Sequence, residues 1–238
     1  MKFRMLTVCL FLSLLMTPYT PVSSEPMKTD DDSIEKYMLL RSDKMYDRGA
    51  MIETQTIGKY SEHVKRNGKS LTLKIEDPES PLQNKTIELL NKPEQNKGQG
   101  DFEKYFFINY FEKLNLYLVL YVFYDGYSYL VYNSKSGQRF ILDEYPVLSP
   151  SSMKFLVSSD GLVSGELPNS FSIYRVSSDS IEIEYRTEPT QWEPLEATWK
   201  DDDEIIFKKV FVHSIPPKSI PCKATYDSDK DQWNLVQE

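Results

Sequence analysis

The chain is poor in the residues on which most catalytic centres and small secreted scaffolds depend. Its 238 residues include two cysteines, two histidines and nine glycines. Two cysteines exclude a disulfide-stapled scaffold. The histidines, His63 and His213, stand far apart, neither at metal-ligand spacing, and no HExxH or CxxC pattern occurs. The few glycines form no phosphate-cradling or dinucleotide pattern and no Gly-x-Ser-x-Gly elbow. Basic residues are outnumbered, 28 Lys+Arg against 36 Asp+Glu, giving a net charge of −8. That balance repels a phosphate backbone and excludes a nucleic-acid binder.

Long apolar runs are also missing. Met5–Met16 is uncharged and apolar, but at about 1.5 Å per residue it cannot cross a hydrocarbon core of about 30 Å. With Lys2 and Arg4 before it and Val22-Ser23-Ser24 after it, the segment 1–24 reads as a secretory signal with cleavage before Glu25. The remaining chain is expected to be exported, more acidic still, and not membrane-spanning. Cys9 follows Val8 rather than a small residue, which argues against a lipoprotein. Cys222 would then be the only cysteine, expected as a small buried apolar side chain. An exported chain without an internal disulfide fits the bacterial periplasm. The sequon Asn84-Lys85-Thr86 bears on the chain only in a eukaryotic secretory route.

What is present is strand texture. Residues 25–34 are acidic and polar and, with 35–66, form an N-terminal segment, 25–68, to which the sequence assigns no firm element. From Lys69 the pattern becomes regular, and 69–238 reads as one all-β domain. Leu71, Leu73 and Ile75 alternate with polar residues, and Ile87 and Leu89 repeat the alternation. The stretch 102–132 holds 13 of the aromatics, among them Tyr105, Phe107, Tyr110, Tyr117, Tyr121 and Tyr129. Leu114 to Tyr124 is almost unbroken apolar sequence with β-branched and aromatic content. Such a strand has to be covered on both faces. Asp125-Gly126 suits a type I′ turn, with Tyr127–Tyr132 returning and Gln138–Leu142 following. Further strands are expected at Met153–Val157, Phe171–Val176, Ile181–Tyr185, Glu204–Val212 and Gln232–Val236. Short strands at this spacing, with no amphipathic helix beyond about two turns, predict an all-β fold of antiparallel meanders.

Two stretches resemble each other. Tyr129–Tyr132, Phe140–Leu142, Pro146–Pro150 and Met153–Val157 match Phe171–Tyr174, Ile181–Ile183, Pro194–Trp199 and Ile205–Phe207. The offset is 42 residues at the start and 48 at the prolines, the size of a propeller blade. The run Tyr145-Pro-Val-Leu-Ser-Pro-Ser-Ser-Met-Lys-Phe-Leu-Val157 resembles the P-x-x-S-P-D-G turn of WD-type and Tol-type β-propellers. Ser151-Ser152 stands in place of Asp-Gly, and no Trp-Asp dipeptide closes either unit. The resemblance, over about 105–212, implies a small or incomplete β-propeller-like fold. It also implies that this turn joins the outer strand of one blade to the inner strand of the next. It implies a rigid display surface rather than an activity. A β-sandwich is the alternative architecture.

Candidate sites are few. Asp227, Asp229 and Asp231 occupy positions 1, 3 and 5 of a calcium-loop pattern with Glu238 at position 12, although Gln232 stands where glycine belongs. No other cofactor is suggested. Tyr105, Tyr110, Tyr127 and Tyr129 are candidates for a recognition surface, as are the acids Asp201, Asp202 and Asp203. His213 is a strand-end residue that could serve as a base. The expected function is binding without catalysis: an acidic exported protein facing a protein partner with a basic surface, for instance a periplasmic immunity or inhibitor protein. The alternatives are a carboxylate-dependent hydrolase and an envelope structural protein.

Overall fold

The computed structural model describes residues 45–76, 85–92, 102–123, 126–163, 165, 167–177 and 180–237. The expected signal at 1–24 and the acidic leader at 25–34 lie outside them. The described residues form four antiparallel sheets, each a meander whose strands neighbour one another in sequence order. Sheet I holds β1 (Val64–Asn67), β2 (Ser70–Lys74) and β3 (Thr86–Leu90). Sheet II holds β4 (Glu103–Phe111), β5 (Leu116–Phe123), β6 (Gly126–Asn133) and β7 (Arg139–Leu142). Sheet III holds β8 (Val147–Leu148), β9 (Lys154–Ser159), β10 (Ser170–Val176) and β11 (Ile181–Thr187). Sheet IV holds β12 (Glu193–Trp199), β13 (Glu204–Phe211), β14 (Lys218–Asp227) and β15 (Gln232–Gln237).

The sheets stack face against face, and three hydrophobic cores fill the interfaces in chain order. Tyr117 and Val119 of β5 pack with Leu71 and Leu73 of sheet I. Leu116, Leu118 and Leu120 of the same strand pack with Phe155, Val157 and Tyr174 of sheet III. On sheet III, Leu156 and Ile173 point the other way, onto Ile205 and Phe207 of sheet IV. Successive residues of a strand point to opposite faces. The unbroken apolar run of β5 is therefore the signature of a middle layer, covered twice. The end sheets show the complementary pattern: Ile205 and Phe207 are buried while Ile206 and Lys208 face solvent. Each fully buried Leu or Val contributes roughly 1.5–3 kcal/mol, so the buried run Leu116–Leu120 of β5 ties sheet II to both neighbours. Four sheets with three interfaces set aside the two-sheet sandwich. The architecture is all-β and propeller-like.

The internal repeat corresponds strand for strand to this topology. β6 and β10 are each third in their sheets, β7 and β11 fourth, β8 and β12 first, β9 and β13 second. One implication of the resemblance is corrected. The Pro146–Met153 segment does not pass from one blade to the next. Val147 pairs with Leu156 and Leu148 with Phe155, so the turn closes a hairpin inside sheet III.

A second correction concerns helix. Met45–Thr56 is a 12-residue α-helix, α1, of more than three turns. Its buried positions are Gly49, Ile52, Glu53 and Thr56. These have helical spacing, yet only Ile52 is strongly apolar, so no hydrophobic period marks the helix. Gly49 is needed for close approach: a Cβ there would lie 2.8 Å from Phe106 Cδ2 and 3.1 Å from Leu120 Cδ2. The return from β5 also differs in detail. Phe123 pairs with Gly126, so Gly126 already belongs to β6; Asp125 lies outside the described residues.

Candidate functional site

The two acidic motifs singled out in the sequence meet in space. The β12–β13 turn carries Asp201, Asp202 and Asp203, and the β14–β15 turn carries Asp227, Asp229 and Asp231. Because β13 and β14 pair antiparallel, with Glu204 opposite Thr225, both turns lie at one end of sheet IV. The Tyr226 amide donates to the Asp203 carbonyl at 2.9 Å and joins them. The β8–β9 turn of sheet III reaches the same rim: the Ser151 amide donates to Asp202 Oδ1 at 3.0 Å.

Several of these carboxylates are engaged in building the rim. Asp201 Oδ1 accepts the Asp203 amide at 2.9 Å, which shapes the turn. Desolvation pushes the Asp202 carboxyl up. Hydrogen bonds from the Ser151 amide and the Ser149 and Ser151 hydroxyls, with the charge of Lys154, outweigh it and hold the group below the ordinary aspartate value. Asp227 faces Lys230 Nζ at 2.7 Å, a hydrogen bond that lowers its pKa. Asp231 accepts the Tyr226 hydroxyl, which lowers its pKa; Arg175 lies 3.6 Å away and acts in the same direction. Asp227 and Asp231 of the calcium pattern are thus turned toward separate partners, and Glu238 lies outside the described residues. Among the described residues no group of three or more His, Cys, Asp or Glu is arranged to hold a metal ion.

Beneath the rim is a charged, largely buried cluster. Lys154 of β9 is 12% exposed and Glu184 of β11 only 7%. Lys154 Nζ sits 4.6 Å above the Tyr226 ring and 5.1 Å from that of Trp233. It reaches Asp203 Oδ1 and the Asp202 carbonyl, each at 3.1 Å, and Glu184 Oε2 at 3.9 Å. Glu184 also receives Arg175 and, at 2.9 Å, the Trp233 indole N–H. In the sequence, Lys154, Arg175 and Glu184 look like ordinary charges on alternating strands. Their one sequence signal is that Lys154 closes the Ser-Pro-Ser-Ser-Met turn.

The tyrosine candidates divide by burial. Tyr129 is fully buried and Tyr110 is 5% exposed, so both are core residues, a correction to their reading as recognition residues. Both lie on sheet II, whose two faces are covered. Tyr110 stacks on Tyr117 at 4.7 Å and shares a 3.2 Å hydrogen bond with Ser134 Oγ. Desolvation, only partly offset by that bond, raises its phenol above the usual tyrosine value. Tyr105 and Tyr127 are half-buried. Tyr105 stacks on Tyr121 at 4.8 Å and donates to Glu103, and burial raises its phenol well above the usual value. Tyr127 donates to Glu144 Oε2 at 2.8 Å.

His63 and His213 do not meet. His63 lies at the interface of sheets I and II, its Nδ1 3.2 Å from Glu76 and its ring 4.8 Å from that of Tyr110. His213 is exposed in the loop between β13 and β14. Cys222 is a free thiol, 1% exposed, in the core between sheets III and IV.

No protein-family model matches the chain, and no curated protein matches it either.

Proposed function

We propose that the chain is an exported, non-catalytic binding protein that presents the acidic rim of sheets III and IV to a protein partner with a basic surface. The observation that carries the reading is the convergence of Asp201, Asp202, Asp203, Asp227, Asp229 and Asp231 at one end of sheet IV. They stand against Lys154, Arg175 and Lys230, and Asp201, Asp203, Asp229 and Asp231 are exposed. An excess of acidic over basic charge on a rigid rim steers and orients a partner of opposite sign, with an ionic-strength dependence that follows from screening.

The test is affinity capture from the source cell with residues 25–238 as bait. It is run beside a variant neutralised at exposed acids, D201N/D229N, chosen to spare the Asp202 and Asp231 hydrogen bonds. A basic protein retained by the parent, released by salt and lost with the variant supports the reading. A partner retained equally by the variant and indifferent to salt contradicts it.

A further inference from the structure

Among the described residues β4 is the edge strand of sheet II, with β5 on one side only. In an antiparallel strand the N–H and C=O of alternate residues point outward together and form a template for another strand. Here those outward groups are taken up by side chains and a single bridge. Glu103 exchanges both backbone bonds with Lys92, at 2.9 and 3.2 Å. The Tyr105 amide donates to Asn91 Oδ1 at 2.8 Å, and the Tyr105 carbonyl accepts Arg66 Nη2 at 2.5 Å. The Phe107 amide donates to Glu53 Oε2 at 2.7 Å, and the Phe107 carbonyl lies 3.5 Å from Thr56 Oγ1. Glu53 is itself clamped by Arg66 through Nε at 2.7 Å and Nη2 at 2.6 Å. Three separate stretches, α1, β1 and the residues after β3, together imitate a neighbouring strand.

The covered segment is one that calls for a cover. Tyr105-Phe106-Phe107-Ile108 is apolar, uncharged and without Gly or Pro, the composition of a self-pairing segment. It is also self-complementary. A two-fold axis through Phe106 sets Tyr105 of one copy opposite Phe107 of the other. The amide and carbonyl of each Tyr105 then bond the carbonyl and amide of Phe107 in the other copy, an isologous contact that closes on itself. We propose that α1, held by the Glu53–Arg66 pair, is an autoinhibitory cover on β4, and that the strand it excludes is β4 of a second copy.

The cover has a defined release. Removing the Glu53 carboxylate leaves the Arg66 guanidinium, 18% exposed, without its paired anion beneath α1. An uncompensated buried charge is strongly unfavourable, so the helix lifts and the edge opens. The test is E53A in the full chain, followed by light scattering and by hydrogen exchange at the Tyr105 and Phe107 amides across a concentration series. In dilute solution protection of the Phe107 amide falls by roughly tenfold or more. On concentration the mass doubles and protection returns. If these amides exchange fast while the mass stays monomeric, or if association leaves them unprotected, the proposal is overturned. Should E53A unfold, the parent chain is measured in urea below its unfolding transition. Protection lost in dilute solution and regained as the mass doubles then supports the proposal. Fast exchange without association, or association without protection, overturns it there as well.

Discussion

The Ser151 amide and the Asp202 carboxylate, 51 residues apart in sequence, form a 3.0 Å hydrogen bond that couples the first turn of sheet III to the first turn of sheet IV. The two turns occupy the same place in consecutive repeat units. The contact is therefore a joint between units rather than a local decoration.

Neutralising the carboxylate of that joint has a calculable sign. The Asp202 pKa is lower in the folded chain than in the unfolded one. Its contribution is present above the unfolded value and lost as pH falls through the folded one. D202N is expected to lower stability near pH 7 by a few tenths of a kcal/mol, at most about 1 kcal/mol, because solvent screens this partly exposed carboxylate. The difference from the parent should shrink toward zero below pH 3.8, the ordinary value. Urea unfolding at pH 7 and pH 3 measures both.

The Lys154–Glu184 cluster makes a stronger demand. Each charge keeps a second partner when the other is removed, Arg175 for Glu184 and Asp203 for Lys154, so the cost lies at or below the roughly 3–5 kcal/mol of breaking a buried pair. K154M and E184Q are each expected to destabilise by about 3 kcal/mol, reduced where Arg175 or Asp203 supplies the missing charge. The double variant should lose less than the sum of the two. Denaturation followed through Trp233, whose indole N–H bonds Glu184 at 2.9 Å, provides the double-mutant cycle.

Ser152 holds φ 62 in the β8–β9 turn, a left-handed conformation. It stands where the propeller-type turn has glycine. A side chain there costs on the order of 1 kcal/mol relative to glycine. S152G is expected to raise stability by about 0.5–1 kcal/mol without moving Asp202, and thermal unfolding of D202N with and without S152G should show the two effects adding.

Much of this architecture is written in the residue pattern. The unrelieved apolar run at Leu116–Phe123 identifies a layer covered on both sides, and the 42-residue echo of Tyr129–Tyr132 in Phe171–Tyr174 gives matching positions in two sheets. Other elements escape for physical reasons. α1 buries a glycine, a glutamate and a threonine beside Ile52, so hydropathy shows no face. β14 turns Cys222 and Ala224 inward, residues too small to mark a strand, and carries Pro221. The proline costs no bond to β13: the Tyr226 amide donates across to Asp203, and Pro221, an odd number of residues away, has its nitrogen on the opposite side of the strand. Both acidic turns are visible in the sequence, but their meeting is not. It rests on the register of β13 against β14 and on one backbone bond between Tyr226 and Asp203.

Neighbouring side chains of β5 are buried in two different cores, Leu118 against sheet III and Val119 against sheet I. The direct measurement is equilibrium unfolding of L118A and V119A. Both are expected to be destabilised, by about 2–4 kcal/mol and roughly 2 kcal/mol or more respectively, although the two positions point in opposite directions. A cost near zero for either one would mean that its face of sheet II is open, and the four-layer stack would be contradicted.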